Sequence, residues 1–205
     1  MARPSANGGT AQKILDTAER LVQTRGFNGF SYADIAAALR VTKASLHYHF
    51  ASKAELGQRL IARYEQNFLV ALQAIDGSGA DAGEKLRRYV KIYADVLRAN
   101  RMCLCGMLAA EFATLPKPMK DEVTHFFGAN EKWLVRVLDE GRKAGRLRFS
   151  GEPRDVAELL VGSLEGGMML ARSHGDVARF EAAADRLLAE LGAAKPAPAR
   201  KSRAG

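Results

Sequence analysis

Apolar residues recur three and four positions apart along most of the chain, the spacing of helices that turn one face inward. The first such stripe, Ile14, Leu15, Ala18, Leu21 and Val22, predicts a helix from a Thr10 cap to a stop at Gly26. A short helix over 31–39 follows, capped by Ser31, with Asp34 in its first turn and Ile35 and Leu39 inward. After only Arg40 and Val41, Thr42 caps a third helix that closes at Phe50, so the two helices must cross steeply and Val41 fills their corner. Ser52 and Glu55 form a capping box at the start of a long helix reaching about Asp76, with Leu56, Leu60, Ile61, Tyr64, Phe68, Leu72 and Ile75 on one side. A glycine-rich break at 77–83 lacks the Gly-Lys-Ser/Thr ending of a phosphate cradle. Further helices are predicted over about 84–100, 103–114, 119–142, 153–173 and 176–191.

Helices two and three make a helix-turn-helix. With Leu46 and Phe50 inward, a rotation of about 100° per residue sends Ala44 and Tyr48 outward and puts Ser45 and His47 on the flanks. This face suits DNA. A small Ala44 lets the backbone approach base edges, Lys43 and His47 reach into the major groove, and Ser45, Tyr48 and His49 bond phosphate oxygens. Ser31, Tyr32, Arg40 and Thr42 complete the contacting set, and Lys53 at the next helix start favours a phosphate. Phe27, Phe30 and Tyr32 supply a small core beneath.

The run Gly26-Phe27, Ser31-Tyr-Ala-Asp-Ile-Ala36 and Val41-Thr-Lys-Ala-Ser-Leu-His-Tyr-His-Phe50, followed by Ser52-Lys53 and Glu55-Leu56, resembles the DNA-binding domain of TetR-family transcriptional repressors. The resemblance covers about 10–60 and weakens through Cys103 to Glu111. Arg40 stands where the family often has glycine, and His47 where a tyrosine is common. The resemblance implies an all-helical homodimer that binds a palindromic operator and releases it when a small molecule enters the C-terminal domain. Some members that this segment resembles sense electrophiles through a cysteine near 103, so Cys103 is either such a sensor, its thiolate favoured by Arg101 close by in sequence, or, like Cys105, core packing.

The expected architecture is all-α: a flexible arm at 1–9, a helix-turn-helix domain at 10–56, a ligand-binding and dimerisation domain at 57–192, and a basic tail at 193–205. The net charge of +8 favours a polyanionic partner without implying sequence specificity. Lys195, Arg200, Lys201 and Arg203 put half of that charge in the Ala/Pro-rich tail. Arg3 in the arm is a minor-groove contact or part of a frayed end. With no signal-like apolar segment and no run long enough to cross a membrane, a cytoplasmic protein is expected.

Other chemistry is sparse. His47 and His49 lie two apart on a helix, about 200° round, so they cannot share a metal ion, and Cys103 and Cys105 cannot close an unstrained disulfide there. No metal or cofactor is expected. An enzyme has no nucleophile and base to name, and a ligand-independent architectural DNA-binding protein is the alternative to a repressor. In the second domain Tyr93, Cys103, Met107, Phe112, Phe126, Phe127, Asn130 and Trp133 line a ligand pocket or fill it, with Glu111 and His125 as polar groups. Arg87, Arg88 and Lys91 form a solvated face. The small residues Gly162, Ser163, Gly166 and Gly167, with Phe180, Ala184, Leu187 and Leu188, are read as a dimer face of two helices per subunit. Intrachain packing is the alternative for these last two helices.

Overall fold

The computed structural model describes residues 6–193. Among them are nine α-helices and no strand: α1 Ala6–Arg25, α2 Tyr32–Leu39, α3 Lys43–His49, α4 Lys53–Asp76, α5 Ala82–Arg98, α6 Leu104–Ala110, α7 Lys117–Lys143, α8 Pro153–His174 and α9 Val177–Glu190, with a 3₁₀ turn Phe112–Thr114 after α6. Residues 6–9 are the first turn of α1 rather than a flexible arm. Arg3 and the basic tail from Ala194 on lie outside the described residues.

Local chemistry sets the first boundaries. Asp34 accepts the Ser31 N–H at 2.7 Å, Thr42 Oγ accepts the Ser45 N–H at 3.2 Å, and Ser52 Oγ accepts the Glu55 N–H at 3.1 Å while Glu55 takes the Ala51 N–H at 3.0 Å. Each satisfies a donor that a helix start leaves open. Arg40 ends α2 in the left-handed region, φ 55, the conformation for which glycine is the cheapest residue. Pro153 is the first residue of α8, and Asp81 caps α5, which starts at Ala82, two residues before the predicted start.

Helices α1 to α3 close over Ile14, Leu21, Val22, Phe27, Ile35 and Leu46. The 24-residue α4 starts against this core through Leu56 and Leu60 and ends in the second core through Phe68, Leu72 and Ile75. At 1.5 Å per residue it is a rod of about 36 Å. Arg63 ties it to α1, reaching Asp16 and Glu19 at 2.6 Å each. Helix α8 packs along α7 and α9, and it runs unbroken through its glycines.

That packing corrects part of the expected dimer face. Phe180, Ala184 and Leu188 are buried within the chain, and Gly167 lies against the Phe180 ring. What faces outward is a stripe on α8: Leu159, Gly162, Ser163, Gly166, Met169 and Leu170, with half-buried Leu187 of α9 beside it. Arg87 and Arg88 pair with Glu84, and Lys91 with Asp95.

Candidate nucleic-acid interface

Helix α3 is held to the core by Leu46, which is fully buried, and by Phe50, whose N–H donates to the Leu46 carbonyl at 2.8 Å. Lys43, Ala44, His47 and Tyr48 are exposed, Tyr48 to 72%, while Ser45 and His49 are half-buried. A short helix that spends one residue on its own anchoring leaves nearly all its polar surface for a partner.

Two expected contacts do other work. Tyr32 is buried, and its hydroxyl donates to the Phe50 carbonyl at 2.9 Å, so it fixes the end of α3 rather than reaching DNA. Its ring lies 4.8 Å from that of His47 and buttresses it. Lys53 is also turned inward. Its ammonium donates to the Phe27 and Phe30 carbonyls at 2.5 Å each and stands over both rings, at 4.6 and 4.3 Å. Burial holds that ammonium below the usual lysine range, against the opposing pull of Glu111 and Asp34. Free N–H groups at the start of α4 are a poor phosphate site once their lysine is committed elsewhere. Ser31 remains exposed, with its hydroxyl donating to Asp34 at 2.7 Å, and Arg40 is an exposed cation in the turn.

His47 Nδ1 lies 3.1 Å from the Ala51 carbonyl oxygen. A carbonyl only accepts, so Nδ1 carries the hydrogen, and in the neutral ring Nε2 is left as an acceptor. In a major groove that atom matches the amino groups of adenine or cytosine.

The loop after α1 is where the second domain takes hold of the first. Glu111 accepts the Phe27 N–H at 2.6 Å and the Asn28 N–H at 3.2 Å, and the Asn28 amide donates to Thr114 at 2.8 Å. From α8, Arg172 donates to the Gln23 and Thr24 carbonyls at 2.9 and 2.6 Å, capping the C-terminal end of α1. Glu111 is thus a domain clasp, not a pocket group.

In the interior, Tyr93, Cys103, Phe126, Asn130 and Trp133 are buried together, and Met107 and Phe127 are half-buried. Phe112 is instead 40% exposed, under the Lys120 ammonium. His125 is also outside, 2.9 Å from Glu65. The Trp133 indole stacks on Tyr89 at 5.5 Å and donates to Asp76 at 3.0 Å. Tyr89 and Tyr93 share a hydroxyl contact of 3.0 Å, and Tyr89 lies 3.5 Å from Asn130 Oδ1, leaving Asn130 Nδ2 buried without a partner.

Cys103 does not meet the requirements of an electrophile sensor. It is buried and caps α6, with the Gly106 N–H donating to its sulfur at 3.4 Å and the Tyr64 hydroxyl at 3.8 Å. Burial, then Glu165 and Cys105, push its thiol well above the ordinary value, so the reactive thiolate is suppressed. The expected help from Arg101 is replaced by a carboxyl.

That carboxyl, Glu165 on α8, was missed in the sequence. Its signal was available: an acid inside the apolar run Leu164 to Met168, with no basic residue three or four positions away. Both its oxygens are buried without a hydrogen-bond partner of normal geometry, and the carboxyl sits on the bare backbone of α6, where a Cβ at Gly106 would overlap Oε2. Burial raises its pKa from 4.5 to about 7, and the weak Cys103 thiol offsets only part of this. A folded carboxyl that keeps its proton while the unfolded one ionises penalises folding as pH rises from about 4.5 to 7, by about 3 kcal/mol, and by a constant amount above. Urea unfolding should therefore show Glu165→Gln gaining on the wild type between pH 5 and pH 8. Parallel pH curves for the two proteins would show the group to be solvated.

The likeness to known proteins agrees with this geometry. Residues 14–60 match the family described as bacterial regulatory proteins, tetR family, and residues 82–187 match the tetracyclin repressor-like C-terminal domain. The HTH-type transcriptional repressor DhaR of Mycobacterium sp. (strain GP1) is 26% identical over 162 residues, covering 77% of this chain and 80% of that protein. The HTH-type transcriptional repressor NemR of Escherichia coli (strain K12) is 27% identical over 175 residues, covering 80% and 84%. The crystal structure of a TetR-family transcriptional regulator from Agrobacterium tumefaciens superposes with a TM-score of 0.87 at 33% identity, over 90% of this chain and 98% of that one. With both halves matched in the same order and relatives aligned over most of their own length, the chain belongs to the TetR family of transcriptional regulators.

Proposed function

We propose that the protein is a repressor that binds a palindromic operator as a homodimer and leaves it when a small molecule occupies the C-terminal domain. The observation that carries this reading is the outer face of α3, where Lys43, Ala44, His47 and Tyr48 stand exposed on a helix fixed from behind by Leu46, Phe50 and Tyr32. The clasps of Glu111 and Arg172 on the end of α1 and its loop support the release step, because both come from the second domain, Glu111 from the cap that ends α6 and Arg172 from α8. A ligand that shifts α6 or α8 moves the headpiece with it. The repressors DhaR and NemR among the relatives favour negative control over activation.

Selection of binding sites from random DNA at fixed salt tests the reading. An operator should be preferred over unrelated sequence by about 10³ or more, whereas an architectural protein would discriminate little. In the same selection Lys43→Ala and His47→Ala should each change the preferred base at one position per half-site, at about 1 to 3 kcal/mol per lost base contact. For His47 the position should carry adenine or cytosine on the contacted strand. An unaltered operator in both variants would remove α3 from base reading.

A further inference from the structure

Glu165 faces α5 and α6, and the titratable groups it meets there are Tyr89, Tyr93, Cys103 and Cys105, all neutral at neutral pH. Among the described residues no lysine, arginine or histidine compensates it. A buried carboxyl in such surroundings is stable only with its proton or with a cation brought from outside. The surroundings also suit a cation. Tyr89 and Tyr93, the two rings that feel the Glu165 carboxyl, carry further rings behind them: Trp133 stacks on Tyr89, and Phe68 meets Tyr89 and Tyr93 edge-on at 6.1 and 6.3 Å. The Tyr89 hydroxyl lies 3.0 Å from that of Tyr93 and 3.5 Å from Asn130 Oδ1, and Asn130 Nδ2 is likewise buried without a partner.

We propose that Glu165 anchors a small organic cation, an amine with an apolar body, whose N–H groups take the two unpartnered carboxylate oxygens while the α5 and α7 rings enclose the rest. As an account of the inducer this rests on the reading above, but binding itself is independent of DNA. The placement also gives the cation an output. Glu165 and Arg172 are seven residues apart on α8, two turns along the same face, so a shift that seats the ammonium at one end disturbs the cap on α1 at the other.

The test uses the full chain and three probes of equal size: 2-phenylethylammonium, 2-phenylethanol and phenylacetate. Binding is followed by calorimetry and by the fluorescence of Trp133, the one tryptophan of the sequence. The ammonium should bind at least tenfold tighter than the alcohol, phenylacetate should be weakest, and Glu165→Gln should erase the difference between ammonium and alcohol. Calorimetry of the wild type in buffers of different ionisation enthalpy supplies a second measure that needs no variant. Because the incoming cation displaces the Glu165 proton, ligand binding should release protons at pH 6 and clearly fewer at pH 8. Equal affinity for the ammonium and the alcohol, no ammonium binding at millimolar concentration, an unchanged preference in Glu165→Gln, or no pH-dependent proton release would each overturn the proposal. Both readouts use the free protein, so failure of the probe leaves operator selection standing, and failure of operator selection leaves the probe result standing.

Discussion

Replacing Lys53 by methionine should unfold the DNA-binding end of the molecule far more than it weakens any phosphate contact. The ammonium satisfies the Phe27 and Phe30 carbonyls, and its stem and charge fill the space between their rings. Methionine keeps the volume but leaves two carbonyls unpaired, at about 1 to 3 kcal/mol each, and forfeits the interaction with both rings. A loss of about 3 to 5 kcal/mol is therefore expected in urea unfolding, large for a domain of ordinary stability. The competing view makes a different forecast. If Lys53 met a phosphate, stability would barely change and the slope of log affinity against log salt would shrink by about one. Lys53→Arg separates the two further, because a guanidinium serves phosphate well but cannot fit the compact ammonium seat between the rings. An arginine variant with wild-type stability and a wild-type salt slope would return Lys53 to the DNA face.

The same lysine shows which parts of the molecule were legible in sequence. Caps are local, so Ser31, Thr42 and Ser52 marked helix starts that the structure places within a residue of the expected positions. The anchor of α3 was legible for the same reason, since Leu46 and Phe50 fix which side faces out. Tertiary partners were not. Lys53 meets carbonyls 23 and 26 residues away, Glu111 reaches back 84 residues to Phe27, and Arg172 reaches back 149 to Gln23. Periodicity gives an apolar face to a helix without naming its cover, and Phe180, Ala184 and Leu188 consequently read as a dimer face when α8 and α5 already cover them. For Cys103 the misleading step was proximity along the chain. Arg101 is two residues away in sequence, yet what raises the thiol is first its burial and then the carboxyl of Glu165, 62 residues on.

Gly166→Leu should give monomers whose operator affinity is about a thousandfold or more below that of the wild type. On a palindromic site each subunit reads one half, so a monomer keeps half the base contacts and loses the fixed spacing between recognition helices. The outer stripe of α8 carries the argument for where the subunits meet. Leu159 and Leu170 are each 59% exposed and Met169 is 44% exposed, and between them Gly162, Ser163 and Gly166 flatten the helix for close approach. A groove of about 290 Å³ bordering Ser163, Gly167, Ala183 and Leu187 continues that surface onto α9. The substitution is clean within the subunit. Nothing lies within 4 Å of a Cβ at Gly162 or Gly166, and neither glycine has positive φ, so leucine fits the folded monomer and improves helix propensity by about 1 kcal/mol. Phe180→Ala is the contrasting variant: it hollows the α8–α9 packing inside one chain and should cost about 3 to 5 kcal/mol of stability, whereas Gly166→Leu costs none. Sedimentation, unfolding and operator titration on the two variants therefore distinguish assembly from folding. A Gly166→Leu protein that still sediments as a dimer and binds its operator normally would move the interface off this stripe.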